Sequence, residues 1–263
     1  MAETHGSKEK LTELQNVAII GDLDPLKVGS LGEFYRYDYN HRVYLIGKLI
    51  SKFPARGKAL DLGCGRGHFA PMFRELGFNE CHGVDISPER AVIARDRGFS
   101  MVSLSRGQFL PFKDEYFDFV LCHAVLVHIV QPEDRADLVA EIARVTKPGG
   151  VFVLSFPSVA GLRLSEFANL ITLVRPIKWL KDKLAPPPVK KADPAQYCRF
   201  YTPGYIETLL LDSGFQPQQS LGHLYLWPEI LSRIVPVLKF LDSLFSERIP
   251  NLAKNIYLGA VKK

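Results

Sequence analysis

Long apolar runs are missing from this chain. The longest, Phe119 to Val130, is too short to cross a bilayer and contains two histidines. The four cysteines, Cys64, Cys81, Cys122 and Cys198, show no paired spacing, so neither a zinc site nor a disulfide framework is indicated, and no metal is expected. Residues 1–10 are polar and lack the charged-then-apolar pattern of a secretion signal. The expectation is a frayed start on a reduced, cytoplasmic protein. Internal repeats and an evident catalytic triad are also absent. Charge of one sign is scarce everywhere but in one segment. Residues 161–192 carry seven basic and two acidic side chains, which accounts for the whole net charge of +5. The remainder is neutral on balance, which argues against a nucleic-acid footprint on the core.

What is present is enough for one well-filled domain. With 263 residues, 47% hydrophobic and 23% charged, the composition is that of an ordinary globular protein. The expected organisation is a flexible segment over 1–30 and a single domain over 31–263. A cap over 157–201 and a helical insertion over 228–247 interrupt it. Inside the domain, strand and helix patterns alternate. Strands are expected at Lys58–Leu62, Glu80–Asp85, Met101–Leu104, Phe117–His123, Gly150–Phe156, Gln218–Leu226 and Asn255–Val261. Helices are expected at 32–52, His68–Glu75, Pro88–Arg97, Glu133–Val145 and Pro203–Ser213. Such alternation implies an α/β fold: a Rossmann-like, doubly wound, mostly parallel sheet that binds ligands at the carboxyl ends of its strands.

The densest chemical signal is residues 59–68, Ala-Leu-Asp-Leu-Gly-Cys-Gly-Arg-Gly-His. Alternate glycines after an apolar strand permit a sharp turn and close approach of a ligand. A helix beginning directly afterwards would aim its positive end at the turn. Asp85 ends the next apolar run, about 20 residues on, where a carboxylate suits ribose hydroxyls; a helix cap is the alternative use of such an Asp.

Leu110-Pro111-Phe112, Phe117-Asp118-Phe119-Val120-Leu121, His128 and Lys147-Pro148-Gly149-Gly150 follow in order. With Asp61 and the glycines they resemble the small-molecule branch of the class I S-adenosylmethionine (SAM)-dependent methyltransferases. The resemblance is close over Ala59 to Ser155 and looser at Phe200-Tyr201-Thr202-Pro203 and Asp212-Ser213-Gly214-Phe215. It implies a seven-stranded sheet with an antiparallel last strand. It also implies SAM as cofactor, with Asp61, Gly63, Cys64, Gly65 and Gly67 against its methionine part, Asp85 on the ribose and Ile86 on the adenine. Arg106 stands at or near the place where relatives put an Asp for the adenine amino group; Arg has no acceptor, so either Gln108 or a backbone carbonyl substitutes, or cofactor binding is weaker or altered.

His123 and His128 fall at the expected methyl rim, where neutral imidazole suits a base; a structural hydrogen-bonding role is the alternative. Arg42 is positioned to pair with the cofactor carboxylate, unless its helix face is simply solvated. The acceptor expected is a small-molecule or lipid/glycan-linked compound bound under the cap. For the basic segment 161–192, a lid, a peripheral contact with an anionic membrane and a solvated face remain open. Two other functions compete: a catalytically silent SAM-binding module, and an NAD-dependent oxidoreductase. The latter expects Gly-x-Gly-x-x-Gly. Counted from Gly63 that pattern meets His68, and from Gly65 it closes only as the Ala70 variant.

Overall fold

The computed structural model describes residues 30–51, 53, 57–105, 109–161, 163, 199–223, 240 and 243–263. The expectations for 1–29, for Gln108 and Arg106, for 164–198 and for 224–239 lie outside the described residues. Helix α1 (Ser30–Ile50) leads into β1 (Lys58–Leu62), α2 (Ala70–Glu75), β2 (Glu80–Asp85), α3 (Pro88–Asp96) and β3 (Met101–Leu104). After β4 (Phe117–His123) come a short 3-10 turn (Leu126–His128), α4 (Pro132–Val145) and β5 (Thr146–Pro157). Next are α5 (Pro203–Asp212), β6 (Phe215–His223), a second 3-10 turn (Pro250–Leu252) and β7 (Asn255–Lys262).

The seven strands form one sheet in the order β3-β2-β1-β4-β5-β7-β6. The first five are parallel, and β7 enters between β5 and β6 antiparallel to both. Alternation along the strands divides the core in two, as a sheet covered on both faces requires. Val120 and Cys122 of β4 join Phe152 and Leu154 of β5, with Leu138, Ile142, Ile206 and Leu210 of α4 and α5, on one face. Phe119 and Leu121 join Val151 and Val153, with Leu45, Ile46, Leu49, Met72, Phe73 and Ala94 of α1, α2 and α3, on the other.

Two boundaries differ from expectation for local reasons. Strand β5 begins at Thr146 instead of Gly150, because Thr146 already pairs with Phe117 and Lys147-Pro148-Gly149-Gly150 bulges out before pairing resumes at Phe119 and Val151. Helix α2 begins only at Ala70. The residues between Gly63 and Ala70 are spent on turns, and the first helical amide, of Ala70, donates to the Gly67 carbonyl at 3.2 Å.

Candidate functional site

The glycine turn lies between the ends of β1 and β2 and is clamped across the sheet. The Gly63 and Cys64 amides both donate to the Val84 carbonyl, at 2.7 and 2.9 Å, and the Gly67 amide donates to the Cys64 carbonyl at 2.8 Å. The Gly65 amide donates to Asp85 Oδ2 at 2.8 Å. Gly63 has φ +73, and a Cβ there would stand 2.3 Å from Val125 Cγ2. Gly67 has φ +82 and abuts the backbone of Ala94 in α3. The Cys64 side chain turns into the core beside Gly83, and burial, then Asp61 and Asp85, push its thiol far up. Cys64 and Gly67 therefore build the turn, and the Cys64 side chain faces the core.

Four amides of this turn are already used. A phosphate cradle needs them free, together with a helix N-terminus at the turn. What the turn offers instead is negative. Asp61 is 1% exposed in β1 and its Oδ2 is buried with no partner. Burial, with the Asp85 carboxylate as a second cause, pushes its pKa up to about 8. A buried carboxylate kept protonated for want of a cation fits the ammonium of SAM, so the site passes the test of fit for that cofactor.

Asp85 is 6% exposed, and its oxygens accept the Gly65 amide and, at 2.9 Å, the Ser87 amide. Each carboxylate oxygen retains a second lone pair for a hydroxyl. It is not the cap of α3, which is Ser87, whose side chain accepts the Arg90 amide. Ile86 is 62% exposed, so it is a surface platform beside Asp85 and not core.

Arg42 is not on a solvated helix face. It is buried in α1, with Nη2 2.8 Å from Asp38 Oδ2 and Nη1 2.9 Å from His123 Nε2, which leaves Nε buried and unpartnered. Burial pushes the Asp38 carboxyl up, but Arg42 and His223 more than reverse this and hold it far below the usual range. His223 Nε2 meets Asp38 Oδ1 at 2.7 Å, and His223 Nδ1 meets His41 Nδ1 at 2.8 Å.

His123 ends β4 with both ring nitrogens engaged. Nδ1 lies 2.8 Å from Ser155 Oγ and 3.2 Å from Tyr257 Oη, opposite the Arg42 contact. Burial and the Arg42 cation hold it neutral, well below the usual imidazole range. A base needs a free nitrogen facing the proton it removes, and His123 has none. His128 is exposed on the 3-10 turn that follows, a turn fixed by Tyr201 Oη on the Leu126 carbonyl at 2.9 Å. Asp38, Ser155, His223 and Tyr257 carried no motif. The i, i+4 spacing of Asp38 and Arg42 was the one readable hint, as a helical ion pair.

Residues 60–154 match the family model described as a methyltransferase domain. An uncharacterized methyltransferase of Mycolicibacterium vanbaalenii is 34% identical over 131 residues, 47% of this chain and 49% of that protein. A tRNA (carboxymethyluridine(34)-5-O)-methyltransferase of Arabidopsis thaliana is 34% identical over 143 residues, 54% of this chain and 33% of its own length. The chain spans about half the length of the first curated relatives it matches. Among solved structures, a SAM-dependent methyltransferase of Thermotoga maritima superposes with a TM-score of 0.56 at 24% identity, covering 89% of this chain and 96% of that one. That likeness is one of fold.

Proposed function

We propose that this chain, which carries a methyltransferase domain over residues 60–154, transfers a methyl group from SAM to a small-molecule or lipid/glycan-linked acceptor. The observation that carries the reading is a glycine turn whose amides are consumed beside the partnerless carboxylate of Asp61. Such a turn suits a cationic donor and lacks the amide array that a dinucleotide's pyrophosphate needs. Asp61 then faces the ammonium, Asp85 the ribose hydroxyls and exposed Ile86 the adenine. His128 stands at the rim where the acceptor enters. SAM supplies an electrophilic methyl on a sulfonium, and the protein's task is to align the two reactants and exclude water. The location of the basic excess outside the core supports a small or lipid-borne acceptor over a nucleic acid.

Calorimetry with SAM and with NAD tests this. SAM is expected to bind near the micromolar range and NAD not to bind; absence of any SAM heat would sink the proposal. Asp85→Ala is expected to weaken SAM at least tenfold, about 1.4 kcal/mol or more. An unchanged affinity would remove Asp85 from the ribose.

Asp61 adds a pH signature. Its folded pKa is raised to about 8, so the folded chain binds more protons than the unfolded one between the two values. Its favourable contribution is complete below about pH 4 and is lost as pH rises toward 8, by an amount on the order of a few kcal/mol. A cation bound against it favours the ionised form. Titrations at pH 6.5 in two buffers of different ionisation enthalpy are expected to show release of close to one proton per SAM bound. Asp61→Asn should abolish that release, and equal heats in both buffers for the unaltered protein would refute the assignment.

A further inference from the structure

The hydrogens around His123 can be counted one by one. Arg42 Nη1 has no lone pair, so its 2.9 Å contact requires His123 Nε2 to accept. The neutral ring then carries its hydrogen on Nδ1, facing Ser155 Oγ at 2.8 Å and Tyr257 Oη at 3.2 Å. Ser155 Oγ already accepts the Ala124 amide at 3.0 Å. Neither hydroxyl can donate to a nitrogen that holds a hydrogen. If one hydroxyl donates to the other, the second hydroxyl hydrogen still has no acceptor in the cluster. Arg42 Nε is a further donor, buried and without a partner. Leaving such donors unmet costs about 1–3 kcal/mol each. Arg42, Ser155 and Tyr257 are 6%, 3% and 1% exposed, while His123 is only half-buried and is the most exposed member of the cluster.

The cluster's place in the fold gives these donors a purpose. His123 ends β4, and Ser155 lies beside it near the end of β5. Tyr257 is brought opposite Ser155 by antiparallel β7. This is the sheet edge that also carries Asp61, the glycine turn and Asp85. We propose that the cluster is the acceptor end of the active site, and that the methyl acceptor is an oxygen acid. A carboxylate or acidic hydroxyl oxygen is held there by Tyr257 or Ser155 and by the Arg42 guanidinium. The proposal rests on the methyltransferase reading. An amine would bring hydrogens to a place that already has too many, or a second cation beside Arg42, and is disfavoured on both counts. An oxygen acid reaches the site ionised, which suits a site whose own histidine at this edge has no nitrogen free to act as base.

The test uses the full chain with benzoate as the oxygen acid and benzylamine as the amine, followed by ligand-observed NMR. Benzoate is expected to bind at least fivefold more tightly than benzylamine, and Tyr257→Phe to weaken benzoate at least fivefold, as the loss of a charge-assisted hydrogen bond does. Ser155→Ala is measured alongside, with the unfolding midpoint of each variant. Nitrogen-15 spectra are expected to show His123 as the tautomer with hydrogen on Nδ1. A hydrogen on Nε2, equal binding of the two probes, or benzoate binding indifferent to both substitutions overturns the proposal. SAM affinity should stay within twofold in Tyr257→Phe. Loss of SAM binding in the unaltered protein would sink the methyltransferase reading instead, and the benzoate result would still decide this one.

Discussion

Replacing Arg42 with methionine is expected to destabilise the protein by about 3–5 kcal/mol, since it strips a buried carboxylate of its cation. Arg42 and Asp38 are 6% and 1% exposed, and their contact ties α1 to the sheet through His223 and His123. The loss should depend on pH. In the intact protein the Asp38 carboxyl lies far below its usual range, so its contribution is present above about pH 4 and fades only below that. The variant lacks that contribution, so its deficit should be largest at neutral pH and narrow as pH falls below about 4. Urea unfolding at pH 7 and at about pH 2.5 measures both. Adding Asp38→Asn should restore part of the loss, because the remaining group is no longer a buried charge. A deficit equal at the two pH values would mean that packing, not charge, sets the cost.

Gly63→Ala comes next in size. Its φ of +73 belongs to the left-handed region, and the added methyl would meet Val125 Cγ2 at 2.3 Å. Backbone strain and overpacking together should cost about 2–4 kcal/mol. SAM affinity should fall more than tenfold as the turn shifts away from Asp61. The denaturation midpoint and a SAM titration check the two effects separately. An alanine variant with the midpoint and affinity of the unaltered protein would show that the turn yields freely.

The parts of the fold that were readable are those whose signals are local. Strands such as Phe117–His123 announce themselves because both faces are buried, and their apolar runs follow from that. Asp61, the glycines and Asp85 are close in sequence, so one strand-turn-helix-strand unit contains the proposed donor end of the site. The late start of α2 was hidden, because a turn from Gly63 to Phe69 can be told from a helix only by its hydrogen bonds. Arg42 and His123 were visible as residues but not in their use. Their partners Asp38, Ser155, His223 and Tyr257 come from four different elements, and apart from the i, i+4 step between Asp38 and Arg42 no spacing relates them. Burial turned what looked like a solvated helix face into the centre of a polar cluster.

Antiparallel β7 has a consequence for the order in which the site becomes whole. A parallel strand delivers its last residues to the ligand edge, whereas β7 delivers its first, and so places Tyr257 opposite Ser155. The Asp38–His223 bond already spans 185 residues. Residues 61–87, by contrast, are bonded to one another and packed by Ala94, Leu121 and Val125, all in the first half of the chain. During synthesis the donor pocket is therefore encoded early and the acceptor end late, when both flanks of the domain have emerged.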